Sequence, residues 1–156
     1  MVSFRYQLTG SGWALATLAN EQSEMKIPAS YLCDALRDFV DAVQSLFIAD
    51  GAQCVWEQEP GLVTWEFRRD GSELVVKVYW DEPKRQGESQ AESFVGNDDL
   101  LRFSRQVDTE LDGLLATWGE DGYLKKWHLH PFPHEAHTKL KQRIKMESER
   151  RTKQRQ

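Results

Sequence analysis

The stretch around Asp70-Gly71 constrains the fold more than any other part of the chain, because apolar and polar residues alternate on both sides of a turn dipeptide. Such an alternation is typical of β strands that bury one face. With Asp70-Gly71 at the centre of a type I′ turn, Arg69 faces Ser72. The apolar pairs that follow are Phe67 with Leu74, Trp65 with Val76, and Val63 with Val78. The sequence therefore predicts an antiparallel hairpin.

Further strands are predicted on both sides of this hairpin. Apolar residues alternate from Phe4 to Leu8, and a second apolar run begins at Trp13 after a turn rich in glycine. Pro28 is expected to end a third strand because it lacks the N–H that a central strand donates. Two further short strands are predicted at residues 53–57 and 91–95, the latter after a polar loop at 81–90.

Three helices are predicted from period and from start and stop signals. An apolar stripe runs from Leu32 to Phe47 and stops at Asp50-Gly51, with Ser30 as the expected N-cap. A second helix is expected from the Asn97-Asp98-Asp99 start to Gly119, followed by a short helical turn at residues 123–127. The last helix is expected from about His134.

These elements predict an α+β fold. We expect a single antiparallel sheet of about five to seven strands in meander hairpins, with two long helices and a C-terminal helix packed mainly on one face. Residues 1–144 form a single domain in this interpretation, which suits a chain of 156 residues. Apolar spacing nearly vanishes after Ile144, so residues 145–156 are expected to be a basic helical extension or tail.

The charge of the chain is unevenly distributed. Residues 139–156 contain eight Lys or Arg and two Glu, a net charge of +6, so residues 1–138 carry −11 of the total of −5. An acidic body disfavours nucleic-acid binding, which requires clustered basic residues, except through the tail. The same charge favours a basic protein as partner.

Motifs of catalysis, secretion and membrane insertion are missing from the sequence. No phosphate loop, nucleophile elbow or paired cysteine motif occurs, and Cys33 and Cys54 are expected to be reduced residues in apolar surroundings. No run of about 18 apolar residues occurs. We therefore predict a cytoplasmic, non-enzymatic protein without a cofactor. The sequence predicts no oligomeric state.

An acidic stripe on the first helix is the first candidate site. Asp34, Asp38 and Asp41 lie at positions i, i+4 and i+7, one line opposite the apolar stripe that we expect to be exposed. Arg37 neutralises them in part. The stripe is predicted either to bind a partner or to be an ordinary solvated face.

The histidines are the second candidate site. All four of them, His128, His130, His134 and His137, fall within ten residues. Imidazoles are common ligands of Zn²⁺, Ni²⁺ and Cu²⁺, and His134 and His137 share a helix face at i, i+3. The Pro131-Phe132-Pro133 kink separates the two pairs, which argues against their convergence on one ion. Solvated or capping histidines are the alternative.

Four segments of the chain resemble a family of small, uncharacterised bacterial proteins. They are Gly12-Trp13-Ala14, the run from Ala29 to Leu36, the Trp56–Gly61 turn with Trp65 after it, and His130-Pro131-Phe132-Pro133. The resemblance implies a bacterial, cytoplasmic, stand-alone domain and brings no catalytic residues with it. The basic end after Ile144 is not part of the family pattern.

More loosely, an acidic α/β body without an active site looks like the immunity proteins that neutralise bacterial toxins. This class often presents acidic faces to basic nucleases. We therefore expect a non-enzymatic protein-binding domain, an immunity-type inhibitor of a basic toxin or other basic protein. The alternative is a small metal-binding protein that uses the His128–His137 segment.

Overall fold

A computed structural model describes residues 1–81 and 93–156, which form seven strands and three helices. The first sheet contains β1 (Ser3–Gly10), β2 (Trp13–Ala19) and β3 (Glu24–Ser30). The second contains β4 (Gly51–Glu57), β5 (Leu62–Asp70), β6 (Glu73–Asp81) and β7 (Ser93–Asp99). The helices are α1 (Ala35–Ser45), α2 (Leu100–Trp127) and α3 (His134–Gln154).

The α+β class is confirmed, but the prediction of a single sheet is wrong. The strands form two antiparallel sheets of three and four strands, in the orders β1-β2-β3 and β4-β5-β6-β7. Each strand pairs with its neighbour in sequence until α1 intervenes between β3 and β4. The meander stops there because a helix, rather than a tight turn, connects the two strands.

The helices also differ from the prediction that two long ones pack on one face. The helix α1 is only 11 residues long, and Phe39 on it is completely buried between the sheets. Its ring lies 4.9 Å from Phe4 of β1 and 4.8 Å from Trp65 of β5. The side of α1 that carries Phe39 faces the aromatic core, so the opposite side of this helix lies near the surface.

The register of the central hairpin is displaced by two residues from the predicted one. Asp70 pairs with Glu73, so Phe67 faces Val76 and Trp65 faces Val78. The two turn residues are Gly71 and Ser72, and Gly71 has φ +60°. Glycine at the first central position is typical of a type II′ turn rather than the type I′ turn that we predicted. A shift of two residues keeps each side chain on its predicted face.

Two predicted helix boundaries require correction. Ser30 does not cap α1, because β3 continues past Pro28 and Ser30 pairs with Trp13 of β2. Pro28 is tolerated because β3 is an edge strand. Similarly, the Asn97-Asp98-Asp99 segment ends β7, and only Asp99 caps α2, accepting a hydrogen bond from the Arg102 backbone N–H.

The later part of the chain follows the predicted pattern more closely. A break interrupts α2 at Gly119, which has φ +64° and ψ 177°. The α3 helix continues through residues 145–154, within the predicted basic extension, and Arg151 there donates to Asp99 at 3.0 and 2.9 Å. Of the predicted loop at 81–90, residues 82–90 lie outside the described residues. Within the described residues, no helix is both long and apolar enough to cross a membrane.

Candidate functional site

The three aspartates of the predicted stripe lie along α1 as expected, but they are only half-exposed. Asp34 immediately precedes the helix, Asp38 lies in its first turn, and Asp41 follows one turn later. All three have intermediate burial. The segment from His130 to Lys139 packs beside α1 and covers part of the stripe, which the sequence pattern did not indicate.

The chain provides few cations for these carboxylates. Arg37 Nε lies 3.8 Å from Asp41 Oδ2, in a pair in which the Arg37 side chain is exposed and that of Asp41 is about half-exposed. His130 Nδ1 lies 3.8 Å from Asp34 Oδ2. Within residues 1–81 and 93–156, no Lys, Arg or His comes within 4.0 Å of Asp38. The stripe is therefore incompletely neutralised inside the chain.

Partial burial of the stripe changes its ionisation. Desolvation raises the pKa of the Asp34 carboxyl, although the nearby His130 and Arg37 act in the opposite direction. Desolvation also raises the pKa of Asp38, and the negative charge of Asp34 adds to this effect. Both shifts mean that the fold holds these two groups less favourably as anions than water does.

One carboxylate oxygen of Asp34, Oδ1, lies buried at the edge of the interior without a hydrogen-bond partner among the described residues. The hydroxyls of Tyr6 and Tyr123 are also buried there without such a partner. Burial raises the pKa of both tyrosines, and the charge of Asp34 contributes to each shift. The Asp34 carboxylate therefore lies between an apolar interior and the surface.

A pocket of about 580 Å³ opens where α1 meets the segment before α3. Its lining brings the two predicted sites together, since Asp34 and Asp41 contribute from one side and His130 and His134 from the other. The remaining lining residues are Arg37, Pro131, Phe132, Pro133, Glu135, Ala136 and Lys139. The Pro131-Phe132-Pro133 kink thus forms part of a wall facing the acidic helix.

The four histidines themselves do not converge. His128 Nε2 lies 2.5 Å from Ser11 Oγ, whereas His130 Nε2 lies 3.1 Å from the Tyr31 carbonyl oxygen. His134 contacts Glu120. His137 is buried, with Nε2 at 2.7 Å from Asp108 Oδ1. Each ring therefore contacts a different part of the chain, and the geometry does not assemble the predicted four-histidine site.

A different cluster, which sequence reasoning missed, surrounds His137. Potential ligand atoms of Asp108, Asp112 and His137 lie within 4.8 Å of one another. Lys141 Nζ already lies 2.8 Å from Asp108 Oδ1 and 3.1 Å from Asp112 Oδ2. Because the ammonium group contacts both carboxylates, it supplies the positive charge that a metal ion would otherwise bring.

A spacing signal for this cluster is present in the sequence. Asp108 and Asp112 lie at i, i+4 on α2, and His137 and Lys141 lie at i, i+4 on α3, so that each pair shares one helix face. Charge-matched pairs on two helices predict a contact between them. The grouping of the four histidines within ten residues does not indicate this pairing, because Asp108 and Asp112 lie on another helix.

Comparisons with family models, with curated proteins and with solved structures find no match to this chain. The resemblance to small bacterial proteins and the looser likeness to immunity proteins therefore stay predictions.

Proposed function

We propose that this chain is a non-enzymatic protein-binding domain, of the kind found in immunity-type inhibitors, which binds a basic protein through Asp34, Asp38 and Asp41. One observation carries the proposal. Asp34 and Asp38 are partly desolvated, yet no Lys or Arg lies within 4.0 Å of either among the described residues. A basic partner would supply the cations that the chain itself does not.

The physical benefit of such a surface is faster and more selective association. Acidic faces attract basic partners over several ångströms, and the net charge of −5 contributes in the same direction. Half-buried carboxylates are already partly desolvated before a partner arrives. A guanidinium or ammonium group that reaches them therefore displaces less water than at a fully solvated face.

The pocket beside the stripe suggests how a partner side chain would be held. Arginine is enriched among the residues that dominate binding energy at interfaces, and such anchors occupy pockets. An arginine entering between α1 and the His130–Lys139 segment would approach Asp34 while its stem packs on Phe132 and the neighbouring prolines. The proposal requires neither a cofactor nor a membrane, and it suits the predicted cytoplasmic location.

The test is a co-purification of the tagged chain from its source cells at low and high salt, with identification by mass spectrometry. We expect one stoichiometric basic protein whose recovery falls with salt, since screening weakens exposed charge pairs. The double variant Asp34→Lys with Asp38→Lys should reduce its affinity at least about tenfold in a subsequent titration.

The matched control changes the same charge elsewhere. Glu73→Lys with Glu149→Lys replaces two exposed acidic residues outside the stripe, and its affinity should stay within about threefold of the unmodified chain. Equal weakening by both double variants would show that overall charge, and not the α1 stripe, determines binding. A partner whose affinity neither double variant changes would also contradict the proposal.

A metal-binding function by His128, His130, His134 and His137 is the alternative that the sequence suggested. It would require the four rings to leave their separate partners, Ser11, Tyr31, Glu120 and Asp108. We therefore place it second.

A further inference from the structure

A second pocket, of about 650 Å³, lies where the last turns of α3 meet the β5–β6 turn. It shares no lining residue with the pocket beside the acidic stripe. Its lining consists of Phe47, Arg69, Gly71, Ser72, Leu100, Glu147, Arg150, Arg151, Gln154 and Arg155. The pocket is thus built from four separate parts of the chain and not from α3 alone.

The charge of this lining is opposite to that of the molecule. Four guanidinium groups and one carboxylate give it a net charge of +3, in a chain whose total is −5. Like charges repel, so a cluster of this kind requires either internal anions or an external one. The ion pairs within the lining show which arginines have an anion inside the chain and which do not.

Two of the arginines are neutralised and fixed by the chain. Arg150 donates two hydrogen bonds to Glu147, at 2.9 and 2.7 Å. Arg151 donates to Glu147 at 2.8 Å and to both carboxylate oxygens of Asp99. These bonds position the end of α3 against the start of α2, so one wall of the pocket is held in place.

The other two arginines are not neutralised in this way. Arg69 is held by a hydrogen bond from Nη1 to the Leu46 carbonyl oxygen, at 2.8 Å, which neutralises no charge. Its Nε is buried without a partner among the described residues, and its nearest acid, Asp50, is 3.8 Å away with a side chain 90% exposed. In the part of the chain described, no acid lies within 4.0 Å of Arg155.

We infer that this pocket binds the phosphate group of a small molecule, with Arg69 and Arg155 as the principal contacts. The planar guanidinium presents paired N–H donors that match phosphate oxygens, and it keeps its charge at every physiological pH. Ser72 adds a hydroxyl to the lining, and Phe47 with Leu100 offers apolar surface for the remainder of the ligand. A concave pocket suits a small ligand better than the extended backbone of a nucleic acid.

The experiment is a calorimetric titration of the full chain with pyrophosphate at low salt, followed by ³¹P NMR. We expect one site with a Kd below about 1 mM that weakens as salt is added. The Arg155→Gln variant should weaken binding at least about fivefold, and Arg69→Gln with Arg155→Gln should weaken it at least about thirtyfold. Arg155 is the exposed C-cap residue of α3, so its substitution leaves the core intact.

The control removes two positive charges outside the pocket. Lys125→Gln with Lys145→Gln changes two exposed residues that do not line it, and the Kd should change less than about twofold. Equal loss in the control, or unchanged binding in a folded Arg155→Gln variant, would overturn the assignment. So would the absence of pyrophosphate binding up to about 5 mM, and binding of a single-stranded oligonucleotide in its place would show that an extended anion is the ligand.

Discussion

The carboxylates of α1 lie beside the segment that leads into α3, whereas those of α2 lie beside α3 itself, and the two groups have very different neighbours. Asp108 and Asp112 on α2 contact Lys141, and Asp108 also contacts the buried ring of His137. On α1, Asp34 has only His130 at 3.8 Å, and Asp38 has no ion pair within 4.0 Å among the described residues. The negative charge of the α2 cluster is therefore balanced by groups of the chain itself, whereas that of the α1 stripe is not.

The difference distinguishes carboxylates that stabilise the contact between two helices from carboxylates that we propose to bind a partner. Where α2 and α3 dock, Lys141 supplies a cation to both carboxylates, and the hydrogen bonds of Lys141 and His137 hold the two helices together. On α1 the carboxylates are desolvated without that compensation, which raises the pKa of Asp34 and of Asp38. An unbalanced cluster of this kind lowers stability, so its presence favours a role in binding.

The largest expected effect comes from breaking the balanced cluster. His137→Ala removes a buried ring and leaves Asp108 with one fewer partner, so we expect the free energy of unfolding to fall by about 2 kcal/mol. Urea denaturation measures this change. The control His134→Ala removes a half-exposed ring from the same helix and should change stability by no more than about 0.5 kcal/mol. Equal losses of stability in the two variants would contradict the claim that His137, and not His134, stabilises the fold.

A smaller effect is expected at Glu147, where the end of α3 is held. Its hydrogen bonds from Arg150 and Arg151 lower its pKa to about 2 from the ordinary value of 4.5. The stabilisation is therefore fully present above pH 4.5 and is lost as the pH falls towards about 2. Glu147→Gln should destabilise the chain by about 0.5 kcal/mol at pH 7, and by nothing measurable near pH 2. A pH-independent difference in urea denaturation would contradict this explanation.

The smallest expected effect is that of metal ions. Because the four histidines contact four different groups, Zn²⁺ or Ni²⁺ at micromolar concentration should leave the melting temperature unchanged. Stoichiometric binding that raises the melting temperature, and that disappears in His134→Ala with His137→Ala, would restore the metal-binding alternative. The same binding lost only in Asp108→Asn would instead place an ion at the α2–α3 cluster.

Local features of the fold could be predicted because they depend on residues close together in sequence. The alternation around Val63–Val78 correctly indicated which face of the hairpin is buried, and Gly119 correctly marked the break in α2. The register was wrong by two residues because Gly71 occupies the first turn position and not the second. Alternation determines the face of a strand, whereas turn geometry determines its partner.

Features that depend on distant residues could not be predicted. Nothing in the alternation of β3 and β4 indicates that they belong to different sheets. The spacing of Asp34, Asp38 and Asp41 indicated one helix face, but it did not indicate that the segment after residue 129 would half-cover that face. The convergence of the acidic helix with His130 and His134 therefore required the structure.

The most direct test of the central claim compares one substitution at two places, Asp38→Asn on α1 and Asp108→Asn on α2, by urea denaturation at pH 7. Asp108→Asn should lower the free energy of unfolding by about 1 kcal/mol, because Lys141 and His137 lose a charged partner. Asp38→Asn should raise it by about 0.3 kcal/mol, because an unbalanced charge is removed. Since the folded pKa of Asp38 is raised from 3.8, this gain should vanish as the pH falls through that raised value. Destabilisation by both substitutions would show that the α1 stripe is balanced within the chain, contradicting its proposed role.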